Sequence, residues 1–429
     1  MAEAARSQPG VASGICTAAA LVLTFLAASS SGLADTLPEP LEKSICYDPD
    51  IHDRVTGHLL YSHMVTQTGR VTGVRAIYAR VEPEELKNRL VGALRMCMET
   101  WKFKPGTRGG SPADILMMTP FHFFKPAPPN DPQVSIPGGG TIGQSRLDEM
   151  REEKLRLVNQ LLSGRLYVEE RGPGWVLKTD VGRKDADAIR EALLFASRAF
   201  DKTFPGLPPV QDPHYLTVVV FRDAAEYGQV AAFDNLIPVQ NLPTGRYHPR
   251  DRVIYTAKDT KPTSVVTDVM AHEMVHHLIS YRLYANREDP PFWIREGIAA
   301  FFELLKKDKG DVIDLAALER GRVPAGAFVY LRNADRYLSA LRDAEKRGKL
   351  PPLPDLLQPQ CPTSDLYLAQ SWLLVHYLIN AEEGRYRAAF EAWLRDPGSE
   401  GNGESLARAI GRSLDQLQAA LPPYTRSLS

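Results

Sequence analysis

The chain has 429 residues, with 51 Lys and Arg against 52 Asp and Glu, so its formal net charge is −1. Nothing in that balance argues for nucleic acid or an acidic surface partner. An apolar fraction of 44% is that of folded globular protein, and the length suits two or three domains. Residues 1–34 read as an export signal. Arg6 precedes a nearly wholly apolar run from Ile15 to Ala28, and Gly32-Leu33-Ala34 offers small residues before a cut after Ala34. The competing reading is an uncleaved anchor, since the run through Ala34 nearly spans a bilayer. Cys16 lies too early, and lacks the small residues before it, for a lipoprotein signal. No later segment is apolar enough to cross a membrane. Export permits a disulfide, and Cys46 with Cys97 is the expected pair. The competing reading makes Cys97 a small core residue on an apolar helix face. Cys361 is left over.

Residues 48–125 read as one small unit. Leu59–Thr66 and Val71–Arg80 are predicted strands about the turn Gln67-Thr68-Gly69. Pro83–Trp101 is a predicted helix with Leu86, Leu90, Leu94, Cys97 and Trp101 on one face, and a strand ends at Phe121-His122-Phe123. Residues 126–145, rich in Pro and Gly, read as a linker that few contacts should cross. Residues 146–425 form the larger unit. Its predicted elements are a charged helix Arg146–Leu162, strands within Gly164–Val181, a helix Arg183–Phe200, a buried strand Leu216–Phe221 and a strand Val253–Thr256. After residue 296 the pattern is mostly helical, including Ser364–Leu378 and two short helices within Ser405–Leu421.

The chemistry is concentrated in His272-Glu273-Met274-Val275-His276. On a helix, residues i and i+4 share a face about 6 Å apart, so two imidazoles can reach one metal ion. Glu273 stands beside that pair, where a carboxylate can hold a water and take its proton. The segment before it carries no Pro or Gly, and two apolar stripes mark a buried helix. Downstream, Pro290-Pro291 open a second helix. There Glu296 is flanked by Phe292, Trp293, Ala299 and Ala300, so its carboxylate lies on a core-facing stripe. A buried carboxylate needs a proton, a partner or a metal. Glu296 is therefore the expected third ligand, with the fourth position left to water as in catalytic zinc. A metal site without a basic field points to a protein or peptide substrate and away from nucleic acid.

H-E-x-x-H, nineteen residues, then Glu296 within Trp293-Ile294-Arg295-Glu296-Gly297-Ile298-Ala299 resembles the gluzincins, the thermolysin-like peptidase MA superfamily of zinc metallopeptidases. The resemblance implies one Zn²⁺ per chain on His272, His276 and Glu296, with Glu273 as catalytic base. It also implies a zincin fold, in which a mixed sheet precedes the active-site helix and a mostly helical part follows. Where that family carries an Asp that orients a ligand histidine, this chain has Ala300; Asp268 or Glu303 is expected to serve instead. Gluzincins donate a hydrogen bond to the oxyanion from a Tyr or His after the third ligand. Tyr367 is the expected donor, ahead of His376, Tyr377 and Tyr330. His277 reads as packing beside the ligands, and His248 as either a cleft or a surface side chain. In this superfamily an edge strand before the zinc helix pairs with extended substrate, and Val253–Thr256 is expected to be that strand.

The N-terminal unit resembles the C-terminal domain of TonB-type energy transducers. Its "TGRVTGV", a helix, "WKFKPGTRGGSPA" and a closing "PFHF" fall in that family's order. The resemblance implies a β-α-β adaptor that presents a sheet edge to an envelope protein. The whole is expected to be an α+β protein: an exported zinc metallopeptidase, periplasmic or secreted or else N-terminally anchored facing outward. The alternative is a catalytically silent zinc-containing binding or adaptor protein of the cell envelope.

Overall fold

The structure is a computed structural model. It describes residues 36–42, 46, 49–52, 54–135, 141–165, 168–210, 215–233, 237–238, 245–248, 252–259, 261–284, 290–303, 307–308, 311–312, 334–358, 364–396 and 402–428. The export signal, Cys361 and Tyr330 lie outside the described residues. The chain combines helices with several separate sheets, as an α+β fold does. Among the described residues no helix is long and apolar enough to cross a membrane.

The first sheet is built from β1 (Thr56–Val65), β2 (Val71–Glu82) and β3 (Ile115–Phe123), with β1 antiparallel to both neighbours. α1 (Lys87–Met98) joins β2 to β3 and buries Leu90, Leu94 and Met98 against one face of the sheet. Met98 thus takes the place on the apolar stripe expected of Cys97. Cys97 itself is joined to Cys46 in a disulfide, with the Cα atoms 5.6 Å apart. The other sheet face is apolar as well, which is why Leu59, Leu60 and Tyr61 are all buried in succession.

Within the Pro/Gly-rich stretch, Gln133–Ser135 pairs antiparallel with Thr141–Gly143. The Asp131 carboxylate accepts hydrogen bonds from the Ser145 N–H at 3.0 Å and from its Oγ at 2.8 Å. α2 (Gln144–Leu162) begins there. The second sheet follows, from β4 (Val168–Gly172) and β5 (Trp175–Thr179), then α3 (Arg183–Thr203), β6 (Leu216–Phe221) and α4 (Ala224–Ala232). β7 (Ile237–Pro238), β8 (Gly245–His248), β9 (Val253–Ala257) and α5 (Thr263–Leu278) come next. The strand order is β4-β5-β6-β9-β8, parallel across β5-β6-β9 and antiparallel at both margins.

β6 and β9 are apolar on both faces because both are covered. Leu216, Val218, Val220 and Ile254 join the core that contains α3 and α5. Val219, Phe221, Val253 and Tyr255 pack instead with α2, α4 and Leu60, Tyr78 and Met118 of the first sheet. The two units therefore share a core, contrary to the expectation that few contacts cross between them. β7, which lies in the second unit's sequence, even pairs with β3 as a fourth strand of the first sheet. Arg80 Nη1 donates to Glu153 Oε2 at 2.7 Å, and the Tyr78 hydroxyl donates to the same buried carboxylate.

One further strand expectation is corrected. Val253–Thr256 lies within β9, which is interior and buried at all five positions; the edge strand beside α5 is β8. After α5 come α6 (Phe292–Glu303), α7 (Ala334–Lys346) and α8 (Asp365–Gly384), then α9 (Arg387–Arg395), α10 (Gly403–Ile410) and α11 (Leu414–Ser427).

Candidate metal centre

α5 carries His272, Glu273 and His276 along a helix that is buried on much of its surface. α6 crosses beside it and brings Glu296 to the same point. His272 Nε2 and His276 Nε2 are 3.0 Å apart, and Glu296 Oε2 lies 3.5 Å from the first and 3.6 Å from the second. Ligand atoms on a tetrahedral ion with bonds of about 2.0–2.1 Å stand about 3.4 Å from one another. The triangle is of that size, with the two imidazole nitrogens somewhat closer together than a tetrahedral ion would hold them. This is the group among the described residues that could hold a metal.

The supports of the triangle are distinct for each ligand. His272 Nδ1 lies 2.9 Å from Glu303 Oε2, so the ring donates there and turns its Nε2 lone pair to the centre. Glu303, one of the two expected partners, thus does what an Asp at position 300 would do. Glu296 accepts from Arg295 Nε at 3.0 Å through its other oxygen. The Ser280 hydroxyl donates to the His276 carbonyl at 2.9 Å, while His276 Nδ1 is buried without a hydrogen-bond partner among the described residues.

The crossing of α6 depends on Gly297. A Cβ there would stand 2.7 Å from the Ser371 carbonyl oxygen of α8, so only glycine lets the two helix backbones approach this closely. The residue after the third ligand is therefore a packing requirement.

β8 runs along the opposite flank of α5, over the ridge of Val269, Glu273 and His277. Four helix residues rise about as far as two strand residues, so Gly245 and Tyr247 meet that ridge in step. A Cβ on Gly245 would lie 2.3 Å from Val269 Cγ1. The Tyr247 N–H donates to Glu273 Oε2 at 2.7 Å, its hydroxyl lies 3.1 Å from His277 Nδ1, and its ring stacks near-parallel to that of His276. Tyr247 is the principal site residue that sequence reasoning missed; its polar four-residue strand carries little periodic signal. His277 is fully buried and packs against Tyr247 and Tyr281, as expected of a residue beside the ligands.

Burial governs the charges here. It pushes the Glu273 carboxyl up to about 7, with the His272 charge opposing the shift and Glu296 adding to it. It pushes His276 down to about 3, against the attraction of Glu296. Glu296 is held below the usual carboxylate range, because His276 and His272 outweigh its desolvation. Burial opposes a charge on His272, but its hydrogen bonds to Glu296 and Glu303 outweigh that and hold the ring well above its ordinary value, so it keeps a proton that a divalent metal would displace.

The residues expected to donate to an oxyanion fall out differently. Tyr367 sits in the first turn of α8, partly buried, one turn before Ser371 at the α6 crossing. His376 points into the C-terminal helices, 2.8 Å from the Tyr424 hydroxyl, and Tyr377 stacks on Tyr386. Tyr337 of α7, which the sequence did not single out, packs on Trp372. Burial, with the charges of Glu303 and Glu296 adding to it, pushes its phenol above the ordinary range. The His248 side chain lies outside the described residues.

No protein-family model matches the chain, and no curated protein matches it.

Proposed function

We propose that this chain is a zinc-dependent metallopeptidase of the gluzincin type, exported to the periplasm or beyond. The observation that carries the reading is the triangle of His272, His276 and Glu296 with Glu273 beside it at the edge of a sheet. Bound zinc would polarise a scissile carbonyl and lower the pKa of an attacking water. Glu273 takes the proton of that water and passes it to the leaving amine, a role that a carboxylate poised near 7 suits. Tyr247 fixes the rotamer of Glu273 through its main-chain N–H. β8 ends the sheet, so an extended peptide adds there by main-chain pairing. Tyr367 and Tyr337 compete as donors to the oxyanion. The zincin assignment for residues 146–425 and the TonB-like assignment for 48–125 rest on the motifs in the sequence. Export rests on the apolar N-terminus and is supported by the Cys46–Cys97 bridge, which suits an oxidising compartment.

The test is zinc analysis of the mature chain together with hydrolysis of a broad peptide library, with and without chelator. One zinc per chain, lost in His272→Ala, and chelator-sensitive cleavage that Glu273→Gln abolishes are the expected results. Zinc retained with no cleavage of any peptide sinks the enzyme and leaves the silent zinc-binding adaptor.

A further inference from the structure

A second cluster of titratable groups lies far from the metal centre in sequence, where the first sheet meets α2 and α4. His58 of β1 is 1% exposed, and its Nδ1 lies 2.9 Å from Nδ1 of His122 on β3. His122 Nε2 lies 2.8 Å from the main-chain carbonyl of Phe233 at the end of α4. On the other side, His58 Nε2 lies 3.4 Å from Glu149 Oε1 on α2 and has no hydrogen-bond partner among the described residues. The Phe124 and Phe233 rings, each 5.8 Å from the His58 ring, help to bury it.

The proton inventory of this cluster is fixed by its contacts. A carbonyl can only accept, so His122 must carry its proton on Nε2 and offer Nδ1 as a lone pair. His58 must then donate from Nδ1, which leaves its own Nε2 as a lone pair facing the Glu149 carboxylate. Two acceptors then face each other, and one of them, the buried His58 Nε2, has no donor. The three contacts need three protons. Two neutral imidazoles and an ionised carboxylate supply two.

We propose that the series Phe233–His122–His58–Glu149 is a proton-binding site, which takes up one proton between His58 Nε2 and Glu149 as the solution becomes mildly acidic and thereby tightens the junction of the two units. The proton resides on the carboxyl. Burial holds the His58 ring down to about 3, with the charges of His122 and Arg80 adding to the effect, while burial raises Glu149 above its ordinary value. The surrounding charges are accounted for. Arg80 of β2 is paired with Glu153 and Glu82, and Arg156 of α2 lies 3.6 Å from Glu153. Lys125 gives Glu149 a main-chain hydrogen bond and a favourable charge; Glu153 repels it. Arg146 lies over the Phe124 ring.

The experiment uses the full chain with ¹³C-labelled glutamate and ¹⁵N-labelled histidine rings, assigned through Glu149→Gln and His58→Gln. Between pH 4.5 and 8 the Glu149 carboxyl should titrate above the usual carboxylate range while the His58 ring stays neutral. In E149Q the new side-chain amide donates to His58 Nε2 without an added proton. Amide exchange in β3 and α2 of E149Q, corrected for intrinsic rates, should therefore be roughly tenfold slower than wild type at pH 7.5 and lose its pH dependence. A Glu149 carboxyl ionised throughout that range, or a His58 ring that charges near 6.5, overturns the proposal. So does identical exchange in variant and wild type. If E149Q fails to fold, the titration of wild-type Glu149 decides alone.

Discussion

Glu303 sits at the last turn of its helix, yet it holds the tautomer of His272, a proposed metal ligand. Removing such a support typically weakens metal binding about 10–100-fold. Glu303→Leu should therefore lower zinc affinity by that factor in a competition titration with a chromogenic chelator, without unfolding the chain. Glu273→Gln should behave oppositely: its amide is nearly isosteric, so zinc and melting temperature stay near wild type. Peptide hydrolysis should fall about 10²–10⁴-fold in kcat, the usual worth of a general base. His376 sets a pH limit on stability. Burial holds its folded pKa down to about 4, below the 6.5 of an unperturbed ring. The unfolded chain thus binds the extra proton between those values, and the neutral ring's contribution, complete above about 6.5, is lost as pH falls toward 4. The loss is on the order of 3 kcal/mol. Denaturant unfolding from pH 4.5 to 7.5 should show a flatter slope in His376→Gln than in wild type.

At the scale of elements, the second sheet is organised by what covers it. Gly245 lets β8 lie on α5, and a Cβ 2.3 Å from Val269 Cγ1 must push them apart. Gly245→Ala should cost about 1–3 kcal/mol in thermal unfolding and weaken hydrolysis, with partial recovery in the double variant with Val269→Ala. Most elements were legible in the sequence, because Leu216–Phe221, Arg183–Phe200 and the His272 helix carry strong periodic or apolar signals. The identity of the edge strand was not. Val253–Thr256 is apolar at three of four positions because it is interior, whereas the true edge, Gly245–His248, is polar and short. The candidate metal ligands were readable because their chemistry forbids burial without a partner. Tyr247 acts mainly through its main-chain N–H, and a sequence does not advertise a backbone donor.

For the whole molecule, the Pro/Gly stretch looked like a tether between independent parts. The counter-signal was present in Val219, Phe221, Val253 and Tyr255, the second apolar faces of strands whose first faces already had helices. Two covered faces require a further layer. A fragment beginning at Gln144 should therefore expose Tyr227, Phe221 and Val219, and be recovered as aggregate or melt far below the full chain in calorimetry. A soluble fragment with wild-type melting would show that the shared core is dispensable.

The shared core also imposes a schedule on biosynthesis. β1, β2 and β3 are complete at Phe123, but the sheet gains its fourth strand only at β7, and the face bearing Leu60 and Met118 its last partner only when β9 has been made. At about 5–20 residues per second, that interval is on the order of ten seconds. Through it the nascent chain carries a three-stranded sheet with one bare apolar side, a natural substrate for a holding chaperone. Slow emergence of residues 124–257 is thus a hazard that the arrangement of layers builds into every copy.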